Sequence, residues 1–268
     1  MHQLDAHMNP VLAEMLATGT VVGPDGSTIA LDYNISTEEG NAIQRLIREI
    51  RPRVTLEVGC AYGVSTLFIC EALAEVGGER HIVIDPVQDE GWNGVGLHNA
   101  KRAGFGDLIE FHQEPSHMAL PSLVRSGRRV DFALIDGWHT FDYVMVDFFY
   151  VDLLLRTGGI VMLDDTGSYP AIRKVARYIA THRRYAPIDN GIRRAASAKR
   201  RVFDVVAALL RARPLRAATR YLIRPDVLQP DSALGLPGGN FIAFRKLADD
   251  LAGDGSNGTR RWDQHVDF

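Results

Sequence analysis

Cysteine is scarce in this chain: two in 268 residues, Cys60 and Cys70, too few for a disulfide framework and without the paired spacing of a metal-binding cluster. That points to a reducing, intracellular setting. No stretch approaches the ~20 apolar residues that span a bilayer, and the N-terminus Met1-His2-Gln3-Leu4-Asp5-Ala6-His7 has neither the basic start nor the apolar run of a secretory leader. A cytoplasmic protein is expected. Charge of one sign is also missing. The formal net charge is −3, which argues against general affinity for nucleic acid and against an acidic disordered tail. Internal repeats are absent, and His98, His112 and His182 lack metal-like spacing and read as structural.

What remains is the make-up of an ordinary globular protein, with 46% hydrophobic and 24% charged residues. A short helix over 8–18 and a hairpin over Thr20–Leu31, turning at Pro24-Asp25-Gly26, form an N-terminal appendage spanning 1–35. Ser36-Thr37-Glu38-Glu39 is a capping box, and Ala42, Ile43, Leu46, Ile47 and Ile50 give the helix it opens an apolar stripe. Strands at 54–58, 81–85, 108–112, 130–136 and 159–164 then alternate with helices at 65–75, 94–103, 117–125 and 140–155. Such alternation predicts a doubly wound α/β fold with a mostly parallel, seven-stranded Rossmann-like sheet. Residues 240–246 supply a late strand, so the main domain reads as 36–182 plus 236–247.

Residues 183–224 differ in composition, with twelve Arg or Lys against two Asp. Val202, Phe203, Val205, Val206, Leu209 and Leu210 fall there at helical spacing, and 183–235 reads as a basic helical insertion before the last strand. Three roles stay open: a solvated helix packed on the core or on a second copy, a cationic lid over an anionic substrate, or a helix on a membrane surface. The 248–268 tail is Gly/Asp-rich, with Trp262 and Phe268 as candidate anchors.

The organising stretch is Thr55-Leu-Glu-Val-Gly-Cys-Ala-Tyr-Gly-Val-Ser-Thr66, which turns from a strand pattern to a helix start across two glycines. Ser65 and Thr66 are placed to cap that helix. Such a loop offers free backbone N–H groups at the mouth of a parallel sheet. The glycine spacing departs from the G-x-G-x-x-G of a dinucleotide fold, because Ala61 and Val64 occupy its second and third positions. It resembles instead the first motif of class I S-adenosylmethionine (SAM) methyltransferases, matched by Glu57, Gly59, Gly63 and Ser65. That resemblance implies SAM as cofactor. It gives Asp85, after the second strand, the two ribose hydroxyls, and puts Ser116 near the adenine. From the residues alone Asp85 and Ser116 also read as helix caps.

Three acids stand at strand ends: Asp136, and the pair Asp164-Asp165. If their strands neighbour the first, three carboxylates meet at the ligand crevice, an arrangement that is costly without a cation; an all-oxygen set suits Mg2+. The metal-free alternative has Asp136 on the cofactor and the pair capping a loop. Asp136-Gly137-Trp138-His139 with Asp164-Asp165 resembles catechol O-methyltransferase and, more closely, the macrocin-type antibiotic-sugar O-methyltransferases. The similarity covers roughly residues 33–165. It implies Mg2+ on Asp136, Asp164 and Asp165, chelating two oxygens of a small-molecule acceptor such as a sugar, polyol or nucleotide-linked sugar. His139 and Asp136 are both candidates for the general base. Tyr33-Asn34-Ile35-Ser36 matches the segment that the family passes over the methionine end of the cofactor, so Ile35 joins the cofactor set, while Trp138 reads as a packing residue. The rival readings are a metal-independent methyltransferase, a hydroxylase-like relative that keeps the sheet, and a binding module, with homo-oligomerisation open in each.

Overall fold

The computed structural model describes residues 8–32, 34–192, 205, 206, 209 and 229–249. Tyr33, most of the basic stretch, and the tail with Trp262 and Phe268 lie outside the described residues. The N-terminal appendage is a helix α1 (Pro10–Thr18) and a hairpin of β1 (Thr20–Val22) and β2 (Thr28–Ala30). Ser36 opens α2 (Thr37–Ile50) with the expected capping box: its backbone N–H donates to Glu39 Oε2 at 2.8 Å, and Glu39 N–H donates to Ser36 Oγ at 3.3 Å.

Seven strands build the main sheet: β3 (Val54–Val58), β4 (Arg80–Ile84), β5 (Ile109–His112), β6 (Val130–Ile135), β7 (Leu155–Leu163), β8 (Tyr185–Ile188) and β9 (Ile242–Lys246). Their order is β5-β4-β3-β6-β7-β9-β8, with β3 to β7 parallel and β9 antiparallel to both its neighbours. Between them run α3 (Val64–Glu75), α4 (Val95–Arg102), α5 (Ser116–Arg125), α6 (Phe141–Leu154) and α7 (Pro170–His182). From β3 the chain moves outward to β5, then returns to β6 on the other side. The crevice therefore opens between the carboxyl ends of β3 and β6.

Strand residues alternate between two apolar layers, as a period of two requires. Leu56, Val58, Ile135 and Leu163 pack with Leu120, Phe148 and Val175 of α5, α6 and α7. Phe132, Leu134, Ile160 and Met162 face the other way, onto Ile43, Leu67 and Phe68 of α2 and α3. Both faces are covered, which explains why these strands read as continuous apolar runs.

Three local expectations are corrected. Neither Ser65 nor Thr66 caps α3. Gly63 does so from the left-handed region, with φ 83° and no side-chain cap, because the Thr66 hydroxyl is turned inward onto Glu57. Ser116 is the first residue of α5 rather than its cap. The sheet also continues past residue 183: Tyr185–Ile188 is its edge strand, with Pro187 tolerated where one side of the ladder has no neighbour among the described residues. Inside the basic stretch, Val205, Val206 and Leu209 are helical and exposed. No helix among the described residues is long and apolar enough to cross a membrane.

Candidate functional site

The glycine loop leaves β3 under tight steric control. Gly59 has φ 94°, and a Cβ there would stand 2.0 Å from the carbonyl oxygen of Asp136. Its N–H donates to Ile84 O at 2.9 Å, and Asp136 N–H donates to Val58 O at 2.9 Å, so the loop is pinned to both neighbouring strands. Gly63 approaches α4 closely, since a Cβ would meet Gly96 O at 2.9 Å. Asp85, just past β4, completes the frame. Its Oδ2 accepts from Cys60 and Ala61 N–H, each at 3.0 Å, and from Gln88 Nε2 at 3.2 Å; its Oδ1 accepts from Val87 N–H at 3.0 Å. Gln88 also donates to Ala61 O at 2.9 Å and accepts from Gly96 N–H at 3.0 Å, which ties the loop to α4.

Below the loop, Glu57 is wholly buried. Its Oε2 accepts the Thr66 hydroxyl at 2.5 Å and lies 3.2 Å from His81 Nε2, and His81 Nδ1 is 2.9 Å from Thr55 Oγ1. Glu57 and Gly63, both expected among the cofactor contacts, are not among the residues lining the cleft. The first props the loop from beneath and the second permits its close packing. His81 escaped the sequence reading because an isolated strand histidine carries no motif.

The cleft above the loop has a volume of about 700 Å3. Ile35, Gly59, Ser65, Asp85, Ser116, Asp136 and His139 line it, as expected of candidate site residues. Aromatic residues that no motif marked also line it: Tyr62, Trp92, Tyr143 and Tyr169. Trp138 was expected to pack, yet it is 68% exposed at the cleft wall, tilted against Tyr143 at 6.4 Å between ring centroids.

At the floor, β6 and β7 bring the acids together as their parallel pairing requires. Asp164 N–H donates to Ile135 O at 3.1 Å, setting the end of β7 beside Asp136. Asp165 has φ 55°, a left-handed conformation rare outside glycine, asparagine and aspartate. Its N–H donates to Asp164 Oδ1 at 2.5 Å, and its Oδ1 receives Asn240 Nδ2 at 3.3 Å. Burial, then the Asp165 and Glu57 charges, push the Asp136 carboxyl well above the usual range; a hydrogen bond with Asp164 acts the other way. Asp164 is raised too, first by burial and then by Asp136. Glu39, at the start of α2, adds like charge to both.

His139 turns toward these acids, its Nε2 3.3 Å from Asp165 Oδ2 and 3.8 Å from Asp136 Oδ1. Its ring stacks on Tyr169 at 4.4 Å and 28°. That nitrogen is buried without a hydrogen bond. One ligand atom each from Asp136, His139 and Asp165 lies within 4.8 Å of the others, the geometry of a cation site. Asp164 stands outside that group, hydrogen-bonded to Asp136. An orphaned ring nitrogen among crowded, desolvated carboxylates is what a divalent ion would relieve, so the residues fit one.

Residues 56–166 match a family model described as a methyltransferase domain. A flavonoid 3',5'-methyltransferase of Vitis vinifera is 31% identical over 139 residues, covering 50% of this chain and 55% of that protein. A caffeoyl-CoA O-methyltransferase of Petroselinum crispum is 31% identical over 164 residues, covering 55% and 62%. The chain thus spans little more than half the length of the curated relatives it matches. Among solved structures, an O-methyltransferase from Bacillus cereus in complex with SAH superposes with a TM-score of 0.54 at 21% identity, covering 70% of this chain and 84% of that one. At that identity the likeness speaks for the fold.

Proposed function

We propose, from the match of residues 56–166 to a methyltransferase domain, that the protein is a SAM-dependent O-methyltransferase that uses a divalent cation. The observation that carries this reading is one adjacency. The pinned glycine loop and Asp136 line the same crevice, with Asp165 grouped beside Asp136 and His139, so a methyl donor on the first meets an acceptor oxygen held at the second.

In this reading the loop between Gly59 and Ser65 and the hydroxyl of Ser116 hold the cofactor, with the Ile35 backbone over its methionine end. Asp85 already accepts four protein donors, so its first role is to hold the loop amides in register, with Oδ1 the freer oxygen for a ribose hydroxyl. Bound SAM supplies a methyl group on a sulfonium, and a bound cation lowers the pKa of a coordinated hydroxyl. The chain's own part is positional and acid–base. Asp136, Asp164 and Asp165 would hold the cation, Mg2+ being the simplest choice for carboxylates. Asp136 and His139 are the groups placed to accept the hydroxyl proton, and the aromatic walls shield the crevice from water. Holding sulfur, methyl and oxygen nearly in line is where most of the acceleration arises.

The acceptor is a hydroxyl with a second oxygen beside it, on a sugar, polyol or other secondary metabolite. Calorimetry with S-adenosylhomocysteine and with NAD tests the cofactor assignment: the first binds and the second does not. Binding of NAD alone would return the fold to dinucleotide chemistry.

A further inference from the structure

The acids at the end of β6 and β7 have a neighbour of different chemistry. His139 Nε2 lies 3.3 Å from Asp165 Oδ2 and 3.8 Å from Asp136 Oδ1, two carboxylates at the ends of different strands. Despite that proximity it makes no hydrogen bond, although it is buried. A histidine paired with an aspartate would align its N–H on one oxygen. A nitrogen close to two oxygens yet aligned on neither faces the space between them, as ligands of a shared ion do. The ring is held there by its stack on Tyr169, itself in the loop between β7 and α7. Asp164 is partly committed elsewhere, because its Oδ1 accepts the Asp165 N–H at 2.5 Å.

We infer that His139 is a direct ligand of the cation through Nε2, so that the centre is a mixed nitrogen and oxygen site that takes Mn2+, Co2+ or Zn2+ ahead of Mg2+. The inference deepens the proposed function and rests on its cation. Its chemistry follows from the donor set. Imidazole suits later first-row ions, whereas carboxylate alone leaves Mg2+ and Ca2+ competitive. A nitrogen committed to the ion has no lone pair for a proton. Accepting the proton of the substrate hydroxyl then falls to Asp136, and His139 acts by holding the ion.

The test is pulsed electron paramagnetic resonance of Mn2+ on the full chain, with S-adenosylhomocysteine titrated into the same sample. The expected spectrum shows modulation from a directly bound 14N nucleus. It changes to the 15N pattern when the protein is grown with 15N-histidine, and vanishes in His139→Gln while Mn2+ stays bound. In parallel, His139→Gln lowers Co2+ affinity ~10-fold or more and Mg2+ affinity by much less, as loss of an imidazole ligand requires. The spectrum of the unaltered protein does not depend on the variant folding. Mn2+ bound with no nitrogen modulation overturns the inference, as does an equal loss of Co2+ and Mg2+ affinity in the variant. Failure of every divalent ion to bind overturns it together with the cation in the proposed function. If S-adenosylhomocysteine still binds, the cofactor assignment survives that outcome.

Discussion

Gly59 and Asp136 touch through their backbones: the Asp136 carbonyl oxygen occupies the place where a side chain on Gly59 would begin, 2.0 Å from an ideal Cβ. The loop that should carry the cofactor and the residue that should hold the cation are therefore one rigid unit. Gly59→Ala forces β3 and β6 apart at their carboxyl ends and strains a φ of 94°. A loss of about 2–4 kcal/mol in stability is expected by urea unfolding, as for other strained backbone positions. Affinity for S-adenosylhomocysteine should fall ~100-fold, which at 1.4 kcal/mol per decade is a comparable cost. Unchanged affinity in a folded variant would show that loop and acid are independent.

A second prediction concerns Asp147 on α6, almost wholly buried, whose carboxyl bonds the Ser116 side chain and is pushed from 3.8 up to about 6 by burial. Folding then favours the protonated acid. Its stabilising contribution is complete below the unfolded value and is lost as pH rises through about 6. Between about pH 4 and about pH 7, the protein should lose up to about 3 kcal/mol that Asp147→Asn keeps. Denaturant unfolding at several pH values checks this, and parallel profiles for the two proteins would refute it.

A third prediction lies at the far end of the sheet. Asp152 is buried with Arg183 and Lys246, bonds Arg183, and receives the Tyr185 hydroxyl at 2.6 Å; Lys246 Nζ also donates to Leu155 O at 2.9 Å. Asp152→Ala removes the carboxylate that bonds the buried Arg183 and accepts the Tyr185 hydroxyl, and should cost about 3–5 kcal/mol. Affinity for S-adenosylhomocysteine, measured where the variant is folded, should be unaffected. A cost below ~1 kcal/mol would mean that the other contacts of the cluster carry it.

Much of this arrangement was legible in the sequence because it is local. The Ser36/Glu39 box, the Gly59 and Gly63 turn, and the acids ending β6 and β7 are each written within a few residues. What was illegible depends on distant segments. Thr66 reads as a cap but serves Glu57 across the loop, and Glu57 reads as a ligand contact but is sealed beneath it by His81. Trp138 reads as packing, yet it is mostly exposed, with Tyr143 beside it. Tyr169 meets the His139 ring, and Asn240 meets Asp165, only after the chain has folded back, Asn240 from the approach to β9 some seventy-five positions from Asp165. The edge strand β8 is four residues long and holds a proline, which hides it from any period of two.

The most direct test of the cation-dependent methyl transfer is to incubate the protein with SAM labelled in its methyl group and a small-molecule extract, then follow the label by mass spectrometry. The reaction is run untreated, after EDTA, after EDTA with divalent ion restored, and with Asp165→Ala. The account predicts label on a hydroxyl of a small molecule, lost with EDTA, regained with the ion, and absent with the variant. Full transfer after EDTA, with Asp165→Ala as active as the unaltered protein, would contradict it.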